Sequence, residues 1–274
     1  MSVFQAIVLG LVQGATEFLP ISSSGHLVLV PWLLGWQFDP REAFIFNVLV
    51  QWGTILAVIA YFFRDLVAIL RAVVRGILRG KPLEDPQARE GWLVLLASLP
   101  AAVLGLWLKS AVERAFDSPP AVMGFLLGTA AILLLSERLS RPGKTSLELT
   151  ASDAIWIGLA QTLALFPGIS RSGATIAGGL FRSLTRAEAA RFSFLLAIPA
   201  MIGAGLIALL NLAALDSAPQ QALPLLAGFL AAALVGWASI HWLLGYLRRR
   251  RLYLFSLYCA IVGGGGLLLY VLRP

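Results

Sequence analysis

Apolar runs of two lengths alternate along the chain, and they predict two kinds of helix. Crossing about 30 Å of hydrocarbon takes roughly 20 helical residues. Runs at about 43–63, 92–108, 121–137, 192–211, 224–245 and 253–271 approach or meet that length and predict six spanning helices. Segments 4–18, 22–35, 154–166 and 170–181 are shorter, and each pair is interrupted by a turn containing Pro and Ser. Such segments predict re-entrant helical hairpins, whose broken backbone is tolerated at membrane depth only when buried in protein or lining a wet cavity.

The two hairpins are one passage written twice. Residues 6–28 and 154–176 align without a gap at a constant offset of 148, and ten of the 23 pairs are identical. Among the identities are Gly10/Gly158, Gln13/Gln161, Phe18/Phe166, Ser22/Ser170, Ser24/Ser172 and Gly25/Gly173. A polar stretch at 138–153 separates the halves, giving internal repeats at about 3–63 and 151–211 within a single transmembrane domain, 1–274. The expected fold is all-α and polytopic, with opposite topology in the two copies. Inverted repeats of broken helices bring helix ends together near the midplane.

Composition removes the soluble alternatives. With 59% hydrophobic residues, 13% charged residues and a mean hydropathy of +0.85, the chain has too little polar surface to coat a soluble fold of 274 residues. The net charge of +7 does not indicate nucleic acid, because Lys and Arg gather in short connections between apolar runs. Segments 64–90, 138–153, 182–191 and 248–251, read as cytoplasmic loops, hold 16 of the 21 basic residues. Both termini then face outward, and the first hairpin enters from the outer side. The first 30 residues lack Lys and Arg and contain Glu17 and Pro20, so they do not resemble a cleavable signal. Cys259, the one cysteine, lies in an apolar run and reads as a small buried residue.

Against that background the two turns carry the ionisable groups that are hardest to explain as packing. Gln13 and Glu17 share a helix face four residues apart, suited to one hard cation such as Mg²⁺ or Ca²⁺. A lone ionised Glu in hydrocarbon costs about 2.5–3.5 kcal/mol on insertion scales, so a cation or an Arg is expected beside it. After Pro20, Ser22 reads as an N-cap whose helix start attracts anions. Ser22 and Ser23 precede His26 by four and three residues, so a hydroxyl nucleophile and an imidazole base can share a face; a cap beside a satisfied core His fits the same residues. In the second copy Ser170 reads as the N-cap, Arg171 as the first helical residue and Thr175 as one turn on. A guanidinium there can grip phosphate with a bidentate fork, or it can simply pair with Glu17. Asn47 and Gln51 are also four apart and face either the same cavity or a neighbouring helix.

These motifs, QGATEFLPISSSGH and PGISRSGAT, resemble the two signatures of the undecaprenyl-diphosphate phosphatases of the bacitracin-resistance type, and the resemblance covers nearly the whole chain. It implies a phosphatase of the bacterial inner membrane that converts undecaprenyl diphosphate to the monophosphate and inorganic phosphate. This would recycle the lipid carrier of cell-wall synthesis, and the count of basic residues predicts a site open outward. It also implies roles: Glu17 as metal-binding or catalytic carboxylate, Ser22, Ser23 and His26 as the reacting cluster, and Ser170, Arg171 and Thr175 as the anion site. Ser24, Gly25, Ser172, Gly173 and Gln51 complete the expected substrate contacts. Gln13 stands where many members carry Glu, which puts a two-carboxylate metal site in question. A homodimer is compatible with this reading, and a transporter or lipid flippase is the rival that inverted repeats suggest.

Overall fold

A computed structural model describes residues 1–116, 118–141, 143–213 and 222–272, the side chains at 204 and 207–213 excepted. Among the described residues the regular structure is helical, apart from a lone bridge between Lys144 and Leu184. The helices are α1 (Val3–Phe18), α2 (Ser23–Leu34), α3 (Pro40–Tyr61), α4 (Phe63–Leu78), α5 (Pro86–Phe116), α6 (Pro119–Leu139), α7 (Ala151–Leu163), α8 (Arg171–Phe181), α9 (Arg186–Ala213), α10 (Ala222–Leu247) and α11 (Tyr253–Leu272).

Their starts follow from local chemistry. Ser2 and Gln5 form a capping box on α1, Asp39 caps α3 ahead of Pro40, and Thr150 and Asp153 box α7. Among the described residues five helices, α3, α5, α6, α10 and α11, are long and apolar enough to cross a membrane. The sixth expected span, 192–211, lies on α9, a continuous helix whose distal side chains fall outside those described. Helices α1, α2, α7 and α8 have 16, 12, 13 and 11 residues, hence lengths of about 16–24 Å at 1.5 Å per residue. None is a straight crossing.

The aligned glycine performs the same task in both copies. A Cβ on Gly10 would lie 2.4 Å from the Gly228 carbonyl oxygen, and one on Gly158 would lie 2.3 Å from that of Ala97. Bare backbone thus lets α1 press on α10 and α7 press on α5.

One expectation about the connections is corrected. Segment 64–90 is not a loop, since it contains α4 and the start of α5; Arg186 and Arg191 likewise lie on α9. Its arginines are spaced along one side of an amphipathic helix, and charge density alone does not separate such a helix from a loop.

The basic segments nevertheless meet at one end of the bundle. Arg191 binds Asp65 and Glu90, Arg186 forks onto Glu137, Arg182 binds Asp153, and Glu137 also accepts the backbone N–H of Leu252. The Met1 amine instead reaches Glu42 at the start of α3, whereas Asp65 lies on α4 just beyond the other end of α3.

Candidate active site

Both hairpin turns end on a serine cap. The Ser22 hydroxyl accepts from Gly25 N–H at 3.3 Å and the Ser170 hydroxyl from Gly173 N–H at 3.0 Å. The turns then exchange bonds: Gly168 N–H donates to the Ser22 hydroxyl at 3.2 Å, while the Ser172 hydroxyl donates to the Leu19 carbonyl at 3.0 Å. Gly25 fits because a Cβ there would already sit 3.3 Å from Gly168 Cα. Thr129 on α6 fixes the second turn, donating to the Gly168 carbonyl and accepting from Ser170 N–H. Ser22 itself has φ 70° and ψ 99°, a conformation that costs a non-glycine residue roughly 1–3 kcal/mol. Its buried hydroxyl is the N-cap expected from the sequence and also bridges the two copies.

Glu17, at the last turn of α1, gathers the remaining groups. Its Oε1 accepts from Arg171 at 3.1 Å, and its Oε2 accepts from Gln13 Nε2 at 3.0 Å and from the Ser23 hydroxyl at 2.5 Å. Gln13 also reaches the Thr54 hydroxyl on α3 at 3.4 Å. Arg171 donates with its other terminal nitrogen to the Ser193 carbonyl at 3.4 Å, and the Ser193 hydroxyl lies 2.6 Å from that of Thr175. The side chains of Arg171 and Glu17 are 15% and 10% exposed, so the pair is largely shielded from solvent. Arg171 Nε is buried without a partner among the described residues. An unsatisfied charged donor in such a place costs more than an ordinary missing bond, and an incoming anion would relieve it.

Of the two readings of His26, its contacts match the satisfied core imidazole beside a serine cap. Its Nδ1 lies 2.7 Å from the Ser22 carbonyl and its Nε2 lies 2.7 Å from the Tyr258 hydroxyl of α11, whose ring stacks at 15°. A carbonyl only accepts, so Nδ1 carries the proton, and in neutral imidazole Nε2 is then the lone pair that receives the Tyr258 hydroxyl. Both ring nitrogens are thus engaged, and the partner of the Ser23 hydroxyl is Glu17.

The second copy repeats the frame and not the chemistry. Leu165 stands where the first copy has Glu17, and Gln161, aligned with Gln13, has neither amide atom bonded among the described residues. Gln51 lies one turn before Thr54, whose hydroxyl donates to the Gln51 carbonyl; Asn47 is exposed. Sequence reasoning missed Thr54, although 47, 51 and 54 form a polar stripe at helical spacing. It also missed Tyr258, Ser193 and Thr129, single polar residues in apolar runs that no local pattern marks.

A divalent cation finds a partial donor set. No group of three or more His, Cys, Asp or Glu side chains could hold one among the described residues. Glu17 supplies one carboxylate and Gln13 an amide whose oxygen and nitrogen are interchangeable in placement. That set fits a cation taking its remaining oxygens from water and substrate phosphate, as Mg²⁺ commonly does.

The family described as bacitracin resistance protein BacA matches residues 6–265. Three relatives named undecaprenyl-diphosphatase align over nearly their whole lengths. Those of Chlorobium phaeovibrioides and Chlorobaculum tepidum are 45% identical, covering 96% and 97% of this chain and 95% and 96% of their own. That of Thermomicrobium roseum is 43% identical, covering 96% of each chain.

Proposed function

The chain belongs to the bacitracin resistance protein BacA family, and we propose that it hydrolyses undecaprenyl diphosphate to undecaprenyl phosphate and inorganic phosphate. The relatives' names carry hydrolysis and give the flippase alternative no support. The observation that carries the reading is Glu17 held between the Arg171 guanidinium and the Ser23 hydroxyl at a junction of two serine-capped helix starts.

In this reading the diphosphate draws the Arg171 fork, and the unpartnered Nε–H, onto its oxygens. Glu17 is released from its ion pair and takes the Ser23 proton, while Ser23 Oγ attacks the terminal phosphorus and the prenyl monophosphate departs. Water then cleaves the serine phosphoester, releasing phosphate and returning the hydroxyl. The N–H groups at the starts of α2 and α8 and the Arg171 charge stabilise the transferred group, since phosphoryl transfer is catalysed chiefly by positioning and electrostatics. His26, held by Ser22 and Tyr258, fixes the strained turn that aims Ser23. A divalent cation, Mg²⁺ or Ca²⁺, would be held by Glu17 and Gln13 and would neutralise diphosphate charge.

We assign the prenyl tail to the apolar surface beside α8. A cavity of about 260 Å³ opens there between α6, α7 and α8, lined by Ile132, Trp156, Leu159, Leu163, Ala177 and Phe181. The two hairpins are read as re-entrant and inverted: α1 begins near Glu42 and α7 begins beside Arg182, at opposite ends of the bundle. With α9 as the sixth span and the basic end cytoplasmic, the protein sits in the inner membrane with the site open outward.

The test is phosphate release by purified protein from polyprenyl diphosphates in detergent, with and without chelator. Release that Glu17→Gln abolishes supports the reading; a monodisperse, lipid-binding protein that releases no phosphate overturns it.

A further inference from the structure

We propose that α4 lies flat in the membrane surface and docks the basic end of the molecule onto anionic phospholipid headgroups, a role separate from phosphate release. The helix has 16 residues, FRDLVAILRAVVRGIL, about 24 Å at 1.5 Å per residue. That is too short to cross, and arginines occur along its whole length. Three surfaces run along it. Ala72 and Gly76 are buried, and Ile69 and Val73 pack against Gly91 of α5. Leu70, Val74 and Ile77 form an adjoining apolar strip that nothing else among the described residues covers, Leu70 being 63% and Ile77 55% exposed.

Arg64, Arg71, Arg75 and Arg79 follow the third side, within about 80° of one another at 3.6 residues per turn. All four are exposed, and none forms an ion pair among the described residues. The helix's one acid, Asp65, is already held by Arg191 at 2.8 Å, so it does not offset them. An apolar strip beside a strip of unpaired guanidinium groups is the arrangement of a helix lying in the interface, with its apolar side among acyl chains and its cations at phosphate level. The Asp65–Arg191 pair and the packing on α5 hold that surface rigidly at the end where Arg248–Arg251 also lie, so the attraction is shared by a basic rim. Charge complementarity selects anionic lipid over a second copy of this chain, whose corresponding rim carries the same sign.

The test uses the full chain carrying Cys259→Ser, in vesicles of phosphatidylcholine with or without phosphatidylglycerol. Spin labels placed singly at 70, 74 and 77 are expected at one shallow depth, and labels at 71 and 75 in water. A steady depth gradient from 63 to 78, water access at every position, or cross-linking between copies through 70 and 77 overturns the proposal. Charge is tested separately by enrichment of phosphatidylglycerol around the protein. Replacing Arg71, Arg75 and Arg79 with Gln should cut that enrichment on the order of 5-fold per charge, while Lys at the same three positions preserves it and phosphate release is unchanged in both. Equal loss in the Lys and Gln variants, or no loss in either, overturns it.

Discussion

The Ser23 hydroxyl donates to Glu17 Oε2 at 2.5 Å, across a turn that also contains Pro20 and the left-handed Ser22. Ser23 and His26 stand one turn apart on the same short helix, but the turn folds Ser23 back toward the end of α1. The base nearest to the hydroxyl is therefore a carboxylate supplied by the preceding helix.

This relationship separates two variants. Ser23→Ala should reduce phosphate release by several orders of magnitude while leaving lipid diphosphate binding intact, because Arg171 and both helix starts remain. Glu17→Gln should be comparably inactive, with weaker retention of Arg171 in its place. Steady-state kinetics and equilibrium binding on the same preparations read this directly. Near-normal turnover in Ser23→Ala would transfer the nucleophile to water or His26.

His26 and Tyr258 should behave as a unit. Tyr258→Phe leaves His26 Nε2 buried without its donor, and a missing bond of this type costs roughly 1–3 kcal/mol. Turnover is expected to fall about tenfold with little change in KM. The double variant His26→Ala, Tyr258→Phe should be no slower than His26→Ala alone, since coupled residues are not additive. Independent, multiplying losses would show that the 2.7 Å contact is incidental.

The glycine contacts make a prediction about stability. Gly10→Ala and Gly158→Ala each drive a Cβ to within 2.4 Å of a carbonyl oxygen on the facing helix, so the helices must separate. Each should lower thermal stability in detergent by the equivalent of about 1–3 kcal/mol, the usual cost of overpacking. Gly245→Ala, where a Cβ meets nothing within 4 Å, is the matched control and should leave the unfolding temperature unchanged or slightly raised.

Sequence pattern and structure agree most closely where the signal is local. Pro20, Ser22 and Ser170 punctuate the hairpins, and the observed ends of α1, α2, α7 and α8 fall within about three residues of the expected segments. The meeting of Glu17 with Arg171 across 154 residues follows from the repeat, because two copies of one motif pack copy to copy. Tyr258, Ser193 and Thr129 were not legible, because a single polar residue in an apolar helix reveals its partner only once the helices are packed. Helix α4 was hidden for a different reason: arginine density resembles a loop until its angular spacing is compared with the apolar positions between.

Arg171 decides between a clamp and structural glue, because in the resting protein it pairs with Glu17 while one guanidinium donor stays unpartnered among the described residues. It bonds Glu17 at 3.1 Å and the Ser193 carbonyl at 3.4 Å, yet its Nε–H has no partner among the described residues. Glue alone would need only the charge, and a lysine supplies that. Gripping a phosphate needs the planar fork, which lysine lacks. Arg171→Lys is therefore expected to fold, keep Glu17 neutralised and lose roughly 10²–10³ in turnover, the scale of removing one preorganised transition-state donor. Arg171→Ala should lose more, because Glu17 is then left in a shielded site without its counter-charge. Turnover measured on monodisperse protein, alongside thermal unfolding, separates the two: unfolding of Arg171→Ala with wild-type turnover in Arg171→Lys would leave the residue structural, and a folded Arg171→Lys that binds diphosphate weakly and turns over slowly would establish the clamp.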